Sequence, residues 1–413
     1  MFQWDRARGV AMTALKFAFV TCAALFAAES AGAQTAAARR VDIGATGSVT
    51  YDDNVARSGR SAANARGLDR SDFILRPGVS VDVLLPVGRN TFSVLGSVGY
   101  DFHLRNDRLN RERINLVGNA GLRLASCDAG VTATLVRQQS DLADLAFASG
   151  FDDRVRNVET LTSIGGNATC GQAVGLRPTG SVTYSRVRNS GSRRRFFDYD
   201  STSVTGGVSY SRPALGTVTL FGAYTTTDFP NRAALPGLSS SGYDVYSGSA
   251  RLERSIGARL SGIIELGYSD VQPRGAGIPG YSGLTWNVNL NARATERLQL
   301  NAAVGRAVQA SNLASANFYI NKTASLNATY FIGERLSFSP GISWRQRDLR
   351  GETTLLGPVI GTDETTNIYA GLQFQQSDRL SFGLRGEHRR RDAETDIYDY
   401  SSNRVTLSAR LSL

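Results

Sequence analysis

What the sequence lacks narrows it first. Of 413 residues only 3 are cysteine, 2 are methionine and 2 are histidine, and lysine occurs at Lys16 and Lys322 alone. So few histidines and cysteines leave no cluster at zinc spacing and no Ser-His or Cys-His arrangement for a nucleophile. There is no EF-hand loop either. The chain is therefore expected to carry no metal and no cofactor, and to have no catalytic residues. After Gln34 no run of about 18 consecutive apolar residues occurs, which excludes a helical membrane span there. No proline-rich or low-complexity linker divides the chain, so its length reads as one domain.

What is present begins with an export pattern. Arg6, Arg8 and Lys16 precede an apolar run from Phe17 to Ala28, followed by Ala31-Gly32-Ala33. A charged start, a short apolar core and a small-residue triplet form a signal peptide. The core is too short to cross ~30 Å of hydrocarbon as a helix. The expectation is removal of residues 1–33, a periplasmic leader over 34–40, and a single domain over 41–413.

The rest of the composition is odd for a soluble globule: 43 Gly, 18 Phe and 15 Tyr, with Ser, Thr and Asn spread evenly. No large dry core is obvious. A membrane barrel needs none, because its apolar residues face lipid and its polar ones a wet interior. The net charge of +10 comes almost wholly from arginine. With an export signal this excludes nucleic acid, and points to lipopolysaccharide phosphates outside or anionic solutes within. Cys22 leaves with the signal. Cys127 and Cys170 remain as an even pair in an oxidising compartment, each near a periplasmic turn, and a disulfide requires their Cα atoms within ~7 Å.

Segments of about 12 to 15 residues alternate apolar with polar or small residues, the period of a two-faced strand. Over Thr91 to Phe102 the apolar set is Phe92, Val94, Val98, Tyr100 and Phe102, against Ser93, Ser97 and Asp101. The last segment sets Val405, Leu407, Ala409, Leu411 and Leu413 against Arg404, Thr406, Ser408, Arg410 and Ser412. Counting from Val41 gives about 18 strands, starting near residues 41, 71, 90, 112, 129, 157, 174, 198, 216, 242, 258, 282, 297, 317, 335, 364, 379 and 400. The expected fold is all-β, a transmembrane antiparallel β-barrel with short periplasmic turns and longer extracellular loops, both termini being periplasmic.

Tight turns fall at Pro86 to Arg89, Ser126 to Ala129, Pro213 to Gly216, Ser255 to Ala258, Ile332 to Glu334 and Ser377 to Asp378. Long outward loops, expected to be solvated, run near 54–70, 141–156, 190–197, 230–241, 272–281 and 350–363. Ala258-Arg259-Leu260, Glu296-Arg297-Leu298, Glu334-Arg335-Leu336 and Asp378-Arg379-Leu380 recur about every 40 residues, a repeated hairpin. A propeller shares that period but needs four short strands per repeat. Tyr51, Tyr100, Tyr184, Tyr224, Tyr268, Trp286 and Trp344 fall toward strand ends, as in an interfacial aromatic girdle. A wall of ~18 strands at ~4.8 Å spacing and ~40° tilt is about 35 Å across. Side chains cannot fill it, so water or infolded loops must.

By this register Arg76, Arg123, Arg177, Arg251, Arg293, Arg345, Arg385, Arg404 and Arg410 alternate inward. Together they would favour anions; individually each can pair with a lumenal carboxylate such as Asp72, Asp82, Glu265 or Glu387. Arg193 to Arg195 and Arg389 to Arg391 lie at expected outer ends, as solvated charge or as contacts to lipopolysaccharide. Arg306 and Lys322 resist the register and would point to lipid, unless a bulge or snorkelling rescues them. His103 and His388 stand near outer strand ends, where Asp101 beside His103 leaves an outer-membrane hydrolase as a remote reading.

After the alternating start the sequence reads Tyr51-Asp52-Asp53-Asn54-Val55-Ala56-Arg57-Ser58. This resembles the outer-membrane family called putative beta-barrel porin 2, in which such a motif closes the first strand and hairpins with Arg-Leu-Ser turns follow. The likeness spans about residues 41 to 413. It implies a barrel in the outer membrane inserted by the barrel-assembly machinery, although Leu413 stands where many barrels end in Phe. Members are often linked to capsule or exopolysaccharide export, which implies periplasmic polysaccharide-export partners. Asp52, Asp53 and Asn54 either cap the first outer loop or bind a cation or sugar. The functional readings are a channel for small solutes, anions among them, or a wall component of a polysaccharide export system.

Overall fold

The computed structural model describes residues 39–145, 155–232, 242–274, 279–311, 316–350 and 361–413. The expected signal peptide and most of the leader lie outside them. Nineteen strand segments form one antiparallel sheet, and its last segment pairs with its first. Asp72–Leu75 and Gly78–Val87 both pair with the first strand on one side and with Asn90–His103 on the other. They make one wall strand, interrupted where Pro77 offers no N–H, so nineteen segments less one give an eighteen-stranded closed barrel. Arg76 keeps the ladder alive beside the break, exchanging backbone bonds of 2.8 and 3.2 Å with Ser48.

In chain order the strands are β1 (Arg40–Asp52), β2 (the two segments above), β3 (Asn90–His103), β4 (Arg111–Leu124), β5 (Cys127–Gln139), β6 (Val158–Cys170), β7 (Gly175–Asn189), β8 (Tyr199–Arg212) and β9 (Gly216–Asp228). There follow β10 (Gly242–Ile256), β11 (Leu260–Arg274), β12 (Tyr281–Arg293), β13 (Leu298–Ala310), β14 (Phe318–Ile332), β15 (Leu336–Arg350), β16 (Thr362–Gln375), β17 (Leu380–Ala393) and β18 (Tyr400–Ser412). Each starts within two residues of the place read from the sequence. The period-two pattern locates a strand well because a slip of one residue would exchange its lipid and water faces.

The exposure pattern is that of a membrane wall. Val41, Ile43, Val49 and Tyr51 of β1 are exposed, while Asp42, Thr50 and Asp52 between them are buried. At the closure Val49 lies opposite Leu407 and Tyr51 opposite Val405, so outward faces meet outward faces. On the inner side the Thr50 and Thr406 hydroxyls meet at 3.0 Å. The seven aromatics singled out above all lie on the outward face toward the outer strand ends, with Tyr51 against Phe73 and Tyr224 against Tyr246, each at 5.1 Å. An amphipathic ring at that height suits the headgroup layer.

Several tight turns rest on left-handed glycines, Gly257 (φ +58°) and Gly333 (φ +71°) among them, a conformation that costs other residues about 1–2 kcal/mol. The recurrent Arg-Leu string has a structural task. The carbonyls of Arg259, Arg297, Arg335 and Arg379 accept the N–H of Arg293, Phe331, Gln375 and Ser412 at 2.7–2.8 Å, extending the ladder below each turn. At the same end Cys127 lies directly opposite Cys170 on the neighbouring strand, their Cα atoms 4.0 Å apart and their sulfurs bonded.

The expected solvated outer loops are the main correction. The β1–β2 loop, with the short helix α1 (Arg60–Ala65), and the β5–β6 loop, with α2 (Leu142–Leu145), fold inward. There Val55, Ala56, Ala63, Leu68, Ile74, Leu109, Leu142, Leu145 and Val155 form a dry cluster. A second cluster joins Val187, Tyr199, Phe229, Tyr243, Val271, Phe318 and Ile320. The reason is the width of the bore: an outer mouth that side chains cannot span leaves loop apolar groups a way to escape water by packing on each other.

The two faces make opposite demands on charge. Leu220, 61 % exposed, points outward in mid-strand, and Thr219 points inward to Ser209 at 3.1 Å. Leu220→Arg should destabilise the barrel by about 2–4 kcal/mol in vesicle-based urea titrations, and Thr219→Arg by less than about 1 kcal/mol. Equal losses would contradict this assignment of faces.

Candidate channel constriction

The inward turn of the first loop begins at the motif Tyr51 to Val55. Tyr51 remains on the lipid side. Asp52, fully buried, accepts from Arg57 Nη2 at 2.8 Å and from Arg404 Nη2 at 3.1 Å. Asp53 receives the backbone N–H and side-chain Nδ2 of Asn403, both at 2.7 Å. Asn54 donates Nδ2 to the carbonyls of Ser58 and Ser401 and accepts at Oδ1 from Ser58 N. Val55 enters the dry cluster. Asp52, Asp53 and Asn54 are thus each engaged by the chain itself, as in a loop clasp.

Arg66 ties this loop to the next. Buried, it donates to the carbonyls of Ala56 and Ala62, to Ser58 Oγ and, at 3.0 Å, to the carbonyl of Leu142 on the β5–β6 loop. That second loop reaches strands far around the ring. Asp144 accepts from Arg347 of β15 at 3.0 and 3.1 Å and from Arg391 of β17 at 2.8 Å. Asp363 of β16, between those strands, receives the same two guanidiniums at 2.5–2.9 Å. Two arginines and two carboxylates form a neutral, fully buried tetrad. Beside it Arg389 donates to Asp141 at 2.9 Å. These contacts lay the loop across the bore as a constriction.

The environment decides the ionisation of the loop carboxylates. Burial pushes the Asp141 carboxyl up, but Arg389, together with Arg391 and Arg57, outweighs it and holds it at about 2. For Asp144 burial is again overcome, by Arg347 and Arg391, and the carboxyl is held well below the usual range. Farther out, burial lowers the Arg232 guanidinium to about 10; it lies 3.6 Å over the Phe229 ring and also bonds Asn317.

All nine arginines singled out from the sequence lie on the inward face. Seven meet carboxylates: Arg76 with Asp101, Arg123 and Arg177 with Asp128, Arg251 with Glu265, Arg385 with Glu387, Arg404 with Asp52 and Arg410 with Asp42, at 2.7–3.6 Å. Among the described residues no ion pair joins Arg293 or Arg345, and Arg345 keeps a buried Nε–H without an acceptor. Asp82 pairs instead with Arg40 at 2.6 Å, and Asp72 accepts from Asn106 and the Arg105 backbone.

The rim arginines divide by parity. Arg389 and Arg391 point into the bore, contrary to their expected place at the outer surface, and only Arg390 faces out, beside Asp392 at 2.8 Å. Arg194 is buried against the Phe197 ring, and the side chain of Arg193 lies outside the described residues. The alternation that assigned Arg345 and Arg385 also assigns Arg347, Arg389 and Arg391. His103 faces inward and His388 outward to Asn403, while Asp101 stands between Arg76 and Arg113 at 3.3 and 3.4 Å. The two histidines are not brought together.

Removing one partner of the tetrad leaves a buried charge exposed to a cost of about 3–5 kcal/mol. Asp144→Asn should therefore release the β5–β6 loop, raising trypsin cleavage at Arg156 in outer-membrane vesicles at least severalfold with the barrel still assembled; unchanged cleavage would show that the tetrad does not hold the loop. The sign of the pH dependence follows from the depressed carboxyls. Their clasp is fully present above the unfolded carboxylate value of 3.8 and is lost as pH falls toward about 2. Cleavage by an acid-active protease should stay flat between about pH 7 and pH 5 and rise only below about pH 4.

The chain is similar to several known structures. OccK2 (OpdF) of Pseudomonas aeruginosa is 15% identical, with 90% of this chain and 98% of that chain covered at a TM-score of 0.45. A BenF-like porin from Pseudomonas fluorescens Pf-5 is likewise 15% identical over 90% and 99%, at 0.45, and OccAB2 of Acinetobacter baumannii is 11% identical over 91% and 98%, at 0.47. Curated proteins gave no match. A family model described as "Putative beta-barrel porin 2" matches residues 178–413, more than half of the chain and beyond the Tyr51 to Val55 motif. The chain belongs to that beta-barrel porin family.

Proposed function

We propose that the protein is an outer-membrane channel for small solutes that favours anions and does no covalent chemistry. The observation that carries this reading is the charge of the constriction. Arg57, Arg345, Arg347, Arg385, Arg389, Arg391 and Arg404 face Asp52, Asp141, Asp144, Asp363 and Glu387, seven cations against five carboxylates. Among these described residues the surplus is two positive charges. Arg345 is the group best placed to meet a passing anion, since it borders the tetrad and, among the described residues, no ion pair joins it. A fixed cation in a narrow, partly dehydrated passage lowers the barrier for anions and raises it for cations.

The porin family and the polar inner face support the same reading. The polysaccharide-export alternative rests on family resemblance alone, and the infolded loops add nothing in its favour. A hydrolase at the outer rim is disfavoured by the separation of His103 from His388 and by the arginines that flank Asp101.

Refolded protein in planar bilayers under a salt gradient should show a reversal potential of anion-selective sign. One unit charge at about 7 Å in water is worth roughly 0.6 kcal/mol, favourable to an anion and unfavourable to a cation, so Arg345→Gln should lower the anion-to-cation permeability ratio about sevenfold. Cation preference in the parent protein, or no conductance at all, would reject the proposal.

A further inference from the structure

Arg306 and Lys322, the two residues that resist the register, mark a fault in the wall. Along β13 and β14 the alternation is unbroken, yet near the hairpin tip both faces are covered. Phe318 is 0% and Ile320 2% exposed on the face that continues the lipid side, and Tyr319 is 8% and Asn321 7% exposed on the other. Phe318 and Ile320 pack on inward-facing Val187, Tyr199, Tyr243 and Val271 from across the bore. Tyr319 joins Leu349 and Tyr398 on the opposite side. The end of the hairpin has therefore curled into the lumen.

Its departure opens a seam. The β12–β13 ladder stops at Trp286↔Arg306, while β12 stays paired with β11 up to Tyr281 and β13 with β14 up to Ala310. Residues 281–285 and 307–310 thus face each other without a backbone ladder, and an open strand edge is costly wherever lipid touches it. Arg306 closes the lower end: Nη1 donates to the Leu284 carbonyl at 3.1 Å and Nη2 to the Tyr281 hydroxyl at 2.6 Å, with the guanidinium 5.3 Å from the Trp286 ring. Its Nε–H is buried and has no acceptor.

The charge at this point is anomalous. Arg306 lies directly opposite Lys322 on the next strand, an unfavourable placement for like charges. Among the described residues Lys322 meets Gln346 Oε1, at 3.3 Å. The outward-facing arginines at other outer strand ends carry their own carboxylates: Arg137 has Glu112, Arg188 has Asp200, Arg274 has Asp228 and Arg390 has Asp392, at 2.5–2.8 Å. Among the described residues none meets Arg306 or Lys322. Of the acids nearest on that face, Asp348 is turned to Arg350 at 2.7 Å and Glu364 lies two strands beyond Lys322.

We propose that the β12–β13 seam is a binding site for the anionic headgroup of an outer-leaflet lipid, held by Arg306 and Lys322 at the level of Trp286. The headgroup supplies the negative charge that the chain provides at its other outer arginines, and its oxygens serve the unfilled donors of the seam. Its acyl chain runs down the outward face past Leu290, which is 39% exposed. This site rests on the barrel and its aromatic belt and not on conduction, so it stands or falls apart from the channel proposal.

The sequence contains three tryptophans, Trp4, Trp286 and Trp344, so replacing Trp4 and Trp344 by phenylalanine leaves Trp286 as a reporter. The full chain is folded into vesicles of phosphatidylcholine containing chain-brominated phosphatidylglycerol, or chain-brominated phosphatidylcholine at the same mole fraction. Brominated phosphatidylglycerol should quench Trp286 at severalfold lower mole fraction than its zwitterionic counterpart, and Arg306→Gln or Lys322→Gln should remove the preference. Assembly is checked by the heat-modifiable mobility of the barrel on gels. If Arg306→Gln does not assemble, Lys322→Gln alone decides, because Lys322 caps no backbone group. Equal quenching by the two lipids, a preference that survives the substitutions, or its abolition by inorganic phosphate would overturn the proposal.

Discussion

Backbone amides that cannot reach water must find one another, and here they do so around a ring. From Gly44↔Ser412 to Asp52↔Arg404, β1 and β18 close the sheet through nine residue pairs. Once the ring is closed, each strand has one face toward acyl chains and one toward the bore, and the side chains have only to respect that division. The exposed valines and leucines of this wall would be a defect in water. In lipid they are its stabilising surface.

A ring of eighteen strands creates the next constraint. Its bore is too wide for wall side chains to fill and its outer mouth is crossed by loops that carry apolar residues. Two loops and the curled β13–β14 hairpin answer it by packing inside. Dry packing accounts for the clusters around Leu145 and Phe318, but it does not fix a loop against a polar wall. The fixing is electrostatic: Arg66 joins loop to loop, and Asp144 joins loop to wall. A neutral tetrad is buried at less cost than a guanidinium without a carboxylate, because each charge keeps its partner and most of its hydrogen bonds.

This division also explains what could be read from the sequence. Strand positions, the inward arginines and the outward aromatics all follow from a period of two, which depends on local alternation. The infolding does not. Leu142-Ala143-Asp144-Leu145 has the composition of an outer loop, and nothing in it announces a partner such as Arg347, 203 residues away. The motif at Asp52 to Asn54 was legible as a turn or as a ligand site. In the fold Arg57, Ser401, Asn403 and Arg404 occupy its polar groups. Arg306 and Lys322 are the instructive case, since the register that made them look misplaced was correct and the wall itself departs from the simple cylinder.

Closure and infolding compete at that place. A barrel strand gains most by pairing along its whole length, yet β13 gives up its partner above Arg306 so that Phe318 and Ile320 can reach the apolar groups of β7 to β11. The exchange is tolerable because it occurs at the height of Trp286 and Trp344, where water and headgroups can serve backbone groups that acyl chains could not. A break of the same length at the level of Leu290 would leave those groups in hydrocarbon, at several kcal/mol each. The height of the seam is thus set by the same rule that closes the ring: the ladder holds wherever lipid tails touch the wall and yields only where another hydrogen-bonding partner is at hand.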